Sequence, residues 1–304
     1  MSSRRLVLAA IAAAVFAFTA PAAWAQGTTD TRTPEEILKS LNYRHGHIDL
    51  HDGTASLNLP QGYVYLDPAD TETFLTKIYG NPPSSSGPDT DGMVLPEGVD
   101  PQSADGWAVV ITYDKSGHIS DDDASSTNFD DLLKTMQKQT DDANPERKKL
   151  GYEEVQLIGW AEPPHYDSSA KIVYWAEQLK FGDSKTDTLN YKIRVLGREG
   201  VLELNAVDSI DHLERIRKLA PSLLTMASFN TGKTYGEFNS STDHLAEYGI
   251  AGLIAGGVLL KAGFFKVLLA GIVALWKPIA LGVVALGAGI AKIFRRGPRI
   301  NTGA

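Results

Sequence analysis

The chain has 304 residues, with 29 lysines and arginines against 37 aspartates and glutamates, a formal net charge of −8 and no cysteine. That acidity disfavours nucleic acid as a partner. The lack of cysteine excludes disulfides, thiolate-held metal and thiol nucleophiles, so stability must come from a packed core.

Residues 1–25 read as a secretory signal peptide. Arg4 and Arg5 form the basic start, Leu6 to Thr19 an apolar stretch of signal length, and Ala23-Trp24-Ala25 a cleavage site before Gln26. The apolar stretch is short for an uncleaved membrane anchor.

A helix is predicted over Pro34 to Leu41, followed by short strands at Ile48 to Leu50, Ala55 to Leu59 and Tyr63 to Leu66, turned at Gly53 and Gly62. Asp67 or Asp70 caps a helix through Ile78, and the Pro/Ser/Gly stretch from Gly80 to Gly87 ends it as a surface loop. Trp107 to Tyr113 alternates as a strand, and Asn128 caps a helix over Phe129 to Thr140 with Asp130 and Asp131 in its first turn. Val155 to Trp160, Lys171 to Phe181, Leu189 to Leu196 and Val201 to Val207 read as consecutive strands.

In the third of these, Leu189, Tyr191, Ile193 and Val195 share one face, while Asn190, Lys192 and Arg194 share the other. One face is expected buried and the other wet, as in an antiparallel sheet. A helix starting at Asp208 or Ser209, with Ile210, Leu213, Ile216 and Leu219 at helical spacing, would pack on the buried face.

From Gly249 to Ala291 the chain is apolar, interrupted by Lys261, Lys266 and Lys277-Pro278 and closed by Arg295, Arg296 and Arg299. A helix over 267–291 would be about 37 Å long, enough to cross a hydrocarbon core of about 30 Å. One span and a helical hairpin compete. The basic tail favours one span under the positive-inside rule, and Trp276 beside Lys277 argues mildly for two. Gly252-x-x-x-Gly256 has the spacing of a helix–helix contact.

The expected organisation is a signal peptide at 1–25, an exported α+β domain at 26–247, a membrane-anchoring helical region at 248–294 and a basic tail at 295–304. The fold class is α+β, an antiparallel sheet packed with helices, followed by a C-terminal transmembrane helix or helical hairpin. Seven basic residues and no acidic ones follow Glu247, so the exported interval holds 20 basic and 37 acidic residues, near −17. Solubility is the plain reading of that charge; basic partners or divalent cations are the electrostatically welcome ones.

Candidate chemistry is sparse. Asp121-Asp122-Asp123 offers oxygen ligands but lacks the spacing of a calcium loop. His45, His47 and His51 form a histidine cluster, compatible with a metal or with a mobile turn. Trp160, Glu162, His165, Tyr166 and Asp167 are the densest mixture of aromatic, carboxylate and imidazole groups, expected on a loop and suited to binding more than to catalysis. No catalytic signature accompanies them, Gly197-Arg198-Glu199-Gly200 is a turn and not a phosphate loop, and no cofactor is called for.

Several long strings occur in order: NLPQGYVYLD from Asn58, YGNPP from Tyr79, GHISDDDA from Gly117, GWAEPPHYD from Gly159, LNYKIRVLGREGVLELNAV from Leu189 and TDHLAEYGIAGLIAGGVLLKAG from Thr242. Together they closely resemble a family of uncharacterised, membrane-anchored prokaryotic proteins, domain of unknown function 2167. The resemblance implies a bacterial envelope protein at the inner membrane with its main domain in the periplasm. It supplies no catalytic or ligand residues. The strand and helix order of the second half is also loosely similar to small α/β/α folds of the photosystem P-protein type, an analogy silent on chemistry.

The resulting expectation is a binding or scaffolding module held to the lipid bilayer by its C-terminal helices, with an envelope protein partner and a possible homo-oligomer. An enzyme using the 160–167 segment and an accessory subunit assembled through Gly252 and Gly256 are the alternatives.

Overall fold

The computed structural model describes residues 32–80, 90–103, 105–149 and 152–256. Among these residues, seven strands form one antiparallel sheet: β3 (Tyr63–Leu66), β4 (Thr90–Pro96), β5 (Ala108–Asp114), β10 (Val201–Ser209), β9 (Thr188–Leu196), β8 (Ile172–Phe181) and β7 (Val155–Asp167), in that spatial order. A smaller sheet joins β1 (His47–Leu50), β2 (Ala55–Asn58) and β11 (Ala227–Phe229). Two short strands, β6 (His118–Ser120) and β12 (Leu245–Gly249), pair in parallel.

The large sheet is covered on both faces. On one side lie the small sheet and α4 (Leu213–Met226), whose Ile216, Ala220 and Leu223 pack with Tyr191, Ile193, Leu202 and Leu204. The other side carries two separate clusters. Near β3 to β5, α1 (Pro34–Ser40) and α2 (Pro68–Thr73), with the wide π-helical turn Phe74–Ile78, bury Phe74, Leu75, Met93 and Leu95. Near β7 to β9, α3 (Phe129–Lys149) and the five-residue α5 (Ile250–Ile254) enclose Trp175, Val173, Leu157 and Val201. The mixed α+β class and the antiparallel packing expected from the sequence are those of the molecule.

Helix starts follow local chemistry. Thr33 and Glu36 form a reciprocal capping box before Pro34, and Asp67 accepts from the N–H of Asp70 before Pro68. Asn128 Oδ1 accepts from the N–H groups of Asp130 and Asp131.

The structure adds one element and corrects three expectations. β4 occupies 90–96, where the sequence pattern assigns nothing, and Gly92, with φ +131°, lets its backbone pass against Tyr65. The α3 helix continues through Pro145 to Lys149, fastened where the Asn144 side chain exchanges hydrogen bonds of 2.8 Å with both backbone groups of Val155.

The 160–167 segment is strand and not loop. It is the outer half of β7, an edge strand with register irregularities between Leu157 and His165, where two prolines are tolerated because the edge needs no donors. Finally, the face expected to be wet is mostly enclosed: Asn190 is 8 % and Arg194 7 % exposed.

Among the described residues no helix is long and apolar enough to cross a membrane. The signal at 1–25, the loop after Gly80 and the span at 267–291 lie outside the described residues. The core runs past residue 247, since Ile250, Leu253 and Ile254 are buried with Trp175 and Val173.

Candidate functional site

The β7 edge strand distributes the five candidate binding residues rather than gathering them. Trp160 donates from Nε1 to the carbonyl of Phe129 at 3.3 Å and packs under α3. Glu162 turns to α4, where Arg217 Nε lies 3.1 Å away. His165 is exposed, its ring centroid 5.4 Å from that of Tyr174. Asp167 accepts from Ser169 Oγ at 2.6 Å and from the N–H groups of Ser169 and Ala170, which fixes the β7–β8 turn and holds its carboxyl below the usual range.

Glu162, His165 and Asp167 therefore address three different partners, and the arrangement offers no shared acid–base centre. Besides Gln156 and Asp167, the strand presents to solvent Pro163, His165 and, earlier on the same edge, Ile158 at 43 % exposure.

Tyr166 enters a cluster whose other members the sequence reading left apart. Its hydroxyl donates to Asp121 Oδ2, which also accepts from Lys171 Nζ at 2.7 Å, while Tyr235 donates to Asp121 Oδ1 at 3.1 Å. The Lys171 ammonium stands over the Tyr235 ring, 4.6 Å from its centroid, and His118 stacks between Tyr235 and Phe238. Burial resists ionisation of Asp121, but the hydrogen bonds from Lys171 and Tyr166, the lysine charge and the Tyr235 hydroxyl outweigh it and bring its carboxyl down to about 2. Lys171 sits at φ +56°, a strained conformation that aims its side chain into this cluster.

The neighbouring acids diverge: Asp122 accepts from Ser120, and Asp123 accepts from the first N–H groups of α5. The three histidines diverge as well, His45 to Glu97, His47 to Asn58 and His51 to Asp91. Among the described residues no three histidine, aspartate or glutamate side chains are placed to hold a metal.

Gly252 lies in α5, where a Cβ would come within 2.6 Å of Tyr248 Cβ, and Gly256 follows the helix at φ +99°. Within the described residues the two glycines therefore do not share one helix face.

Across the sheet face between the two helical clusters runs an ionic layer. Glu177 accepts from Trp175 Nε1 at 2.9 Å and from Lys192 Nζ at 2.8 Å. Arg194 pairs with Glu203 at 3.2 Å and donates to Asn205 at 3.0 Å, and both cations lie over the Trp175 ring. The signal available in the sequence was the alternation Asn190, Lys192, Arg194 opposite Trp175 and Glu177, which only strand pairing brings together.

At the other end of the sheet, α1, β3, β4 and the 97–101 segment enclose a cleft of about 550 Å³. Its residues, including Leu38, Tyr43, Leu95, Glu97 and Trp107, are scattered from Glu35 to Trp107 and carry no motif.

Comparison with known proteins gives a family match over most of the chain. The family described as "Protein of unknown function (DUF2167)" matches residues 42–287. No curated protein sequence matches the chain. Among solved structures, the cyanobacterial PsbP (CyanoP) from Synechocystis sp. PCC 6803 is similar at 9 % identity and a TM-score of 0.35, covering 62 % of this chain and 92 % of that one. The Saccharomyces cerevisiae Ran-binding protein Mog1p is similar at 9 % identity and a TM-score of 0.33, covering 66 % and 100 %. Likeness at this level carries no argument about activity or partners.

Proposed function

The chain belongs to the DUF2167 family, and from that premise we propose that it is a bacterial cell-envelope protein, anchored in the inner membrane and binding an envelope partner through its periplasmic domain. The observation that carries this reading is the continuity between domain and apolar tail. α5 is the first turn of the Gly249 to Ala291 run, and its Ile250, Leu253 and Ile254 are seated in the domain core. In this reading the start of the apolar run is part of the domain core, so the domain is held close to the run that anchors it.

The partner surface in this reading is the outer edge of β7. Trp160, Glu162 and Tyr166 tie the strand to α3, α4 and the Asp121 cluster, while Ile158 and His165 reach solvent. Rigid backbone with isolated apolar and aromatic contacts suits recognition better than acid–base chemistry. The bilayer is the second partner in this reading, through the C-terminal apolar run.

Site-specific photocrosslinking in bacterial cells tests it. A crosslinker at Ile158 or His165 should give one adduct of defined mass, and one at Lys218, exposed on α4, should not. Equal adduct patterns from all three positions would remove β7 as the binding edge.

A further inference from the structure

We propose that the cleft beneath α1 is a binding site for an amphipathic organic cation, a small molecule with an apolar body and an amine or ammonium head. Its volume of about 550 Å³ falls within the roughly 300–1,000 Å³ usual for small-molecule sites. The walls are apolar: Leu38 of α1, Val64 of β3, Leu95 of β4, then Phe74, Val99 and Trp107. Trp107 is buried and held edge-on to Tyr63, ring centroids 5.8 Å apart, so one wall is a fixed aromatic surface.

The charge of the head group follows from the rim. Glu35, Glu97 and Asp100 line it against a single ammonium, Lys39, and one imidazole, His45. Lys39 is drawn to Glu35 at 2.7 Å and His45 to Glu97 at 3.0 Å, which leaves the mouth net negative around Glu97 and Asp100. An apolar interior with an acidic mouth favours a ligand that buries hydrocarbon and keeps a positive group at the rim. This site lies away from β7, and the inference does not depend on the partner or the membrane anchor.

The test uses three probes that share one apolar body: 4-phenylbutylamine, 4-phenylbutanol and 4-phenylbutyrate. Each is titrated by ligand-observed NMR against the full-length chain in discs of neutral lipid, with empty discs subtracted. The amine is expected to bind at least fivefold more tightly than the alcohol, and the acid most weakly. Glu97→Lys combined with Asp100→Lys, both on the exposed lip, should reverse that order, and Val99→Trp should weaken all three at least fivefold by filling the cleft. Equal affinity for the three probes, an order unchanged by the lysine pair, or binding that survives Val99→Trp in a folded protein would overturn the proposal. The comparison of probes on the unaltered chain decides it even where a variant fails to fold.

Discussion

The carboxylate of Asp123 accepts hydrogen bonds from the backbone N–H groups of Ile250 at 2.8 Å and Ala251 at 3.0 Å, joining the β6–α3 loop to the first turn of the apolar tail. Two N–H groups that have no partner within the helix are thereby satisfied. Asp123→Ala should lower stability by about 0.5–2 kcal/mol, the usual cost of a lost cap, and Asp123→Asn by less. Urea denaturation and hydrogen exchange at Ile250 and Ala251 read this out; exchange rates unchanged in Asp123→Ala would contradict it. Gly249→Ala should act in the same direction, since a Cβ there would meet Asp123 Oδ1 at 2.6 Å.

Acid sensitivity follows from Asp121. Its carboxyl ionises at about 2 in the folded chain and at roughly 3.9 when unfolded. The unfolded state binds more protons between those values, so this contribution to stability is complete above about pH 4 and is lost as pH falls toward 2. Asp121→Asn should be less stable than the native chain at neutral pH, with the gap narrowing across that window. A gap independent of pH would refute the role assigned to the ionised carboxylate.

The Glu177–Lys192 pair is nearly enclosed, with side-chain exposures of 5 % and 15 %. Removing one partner should cost about 3–5 kcal/mol because the other charge is left buried and unpaired. Glu177→Gln and Lys192→Met, each made alone, should therefore destabilise more than the two combined. Strict additivity in a double-mutant cycle would show that the pair is not coupled.

Gly256 ends α5 at φ +99°, where a side chain is strained. Gly256→Ala should cost about 1–2 kcal/mol of domain stability. Urea denaturation reads this out, and a midpoint unchanged in Gly256→Ala would contradict it.

Strands β8, β9 and β10 and helix α4 were legible because their apolar residues alternate or recur at helical spacing against one face, and periodicity reports burial directly. The opposite face misled. Lys192 and Arg194 looked solvated because their compensation comes from Glu177, Glu203 and Trp175, brought beside them only by pairing with β8 and β10. β7 misled for a related reason: Pro163 and Pro164 signal a loop unless the strand is known to lie at an edge. Of the five candidate site residues, Tyr166 proved to belong to a cluster with Asp121, Lys171 and Tyr235, whose positions in sequence hold no shared pattern. The cleft is equally silent in sequence, being assembled from one helix, two strands and a turn.

The proposed topology, a periplasmic domain held by a membrane anchor, is measurable because the chain contains no cysteine. Single cysteines are introduced at Ser169, in the exposed β7–β8 turn, and at Thr302 in the basic tail, and bacterial spheroplasts are treated with a membrane-impermeant maleimide. Membrane-fraction protein should be labelled at position 169 in intact spheroplasts and at position 302 only after lysis. Protection of position 169 until lysis, or recovery of the chain in the soluble fraction, would contradict it.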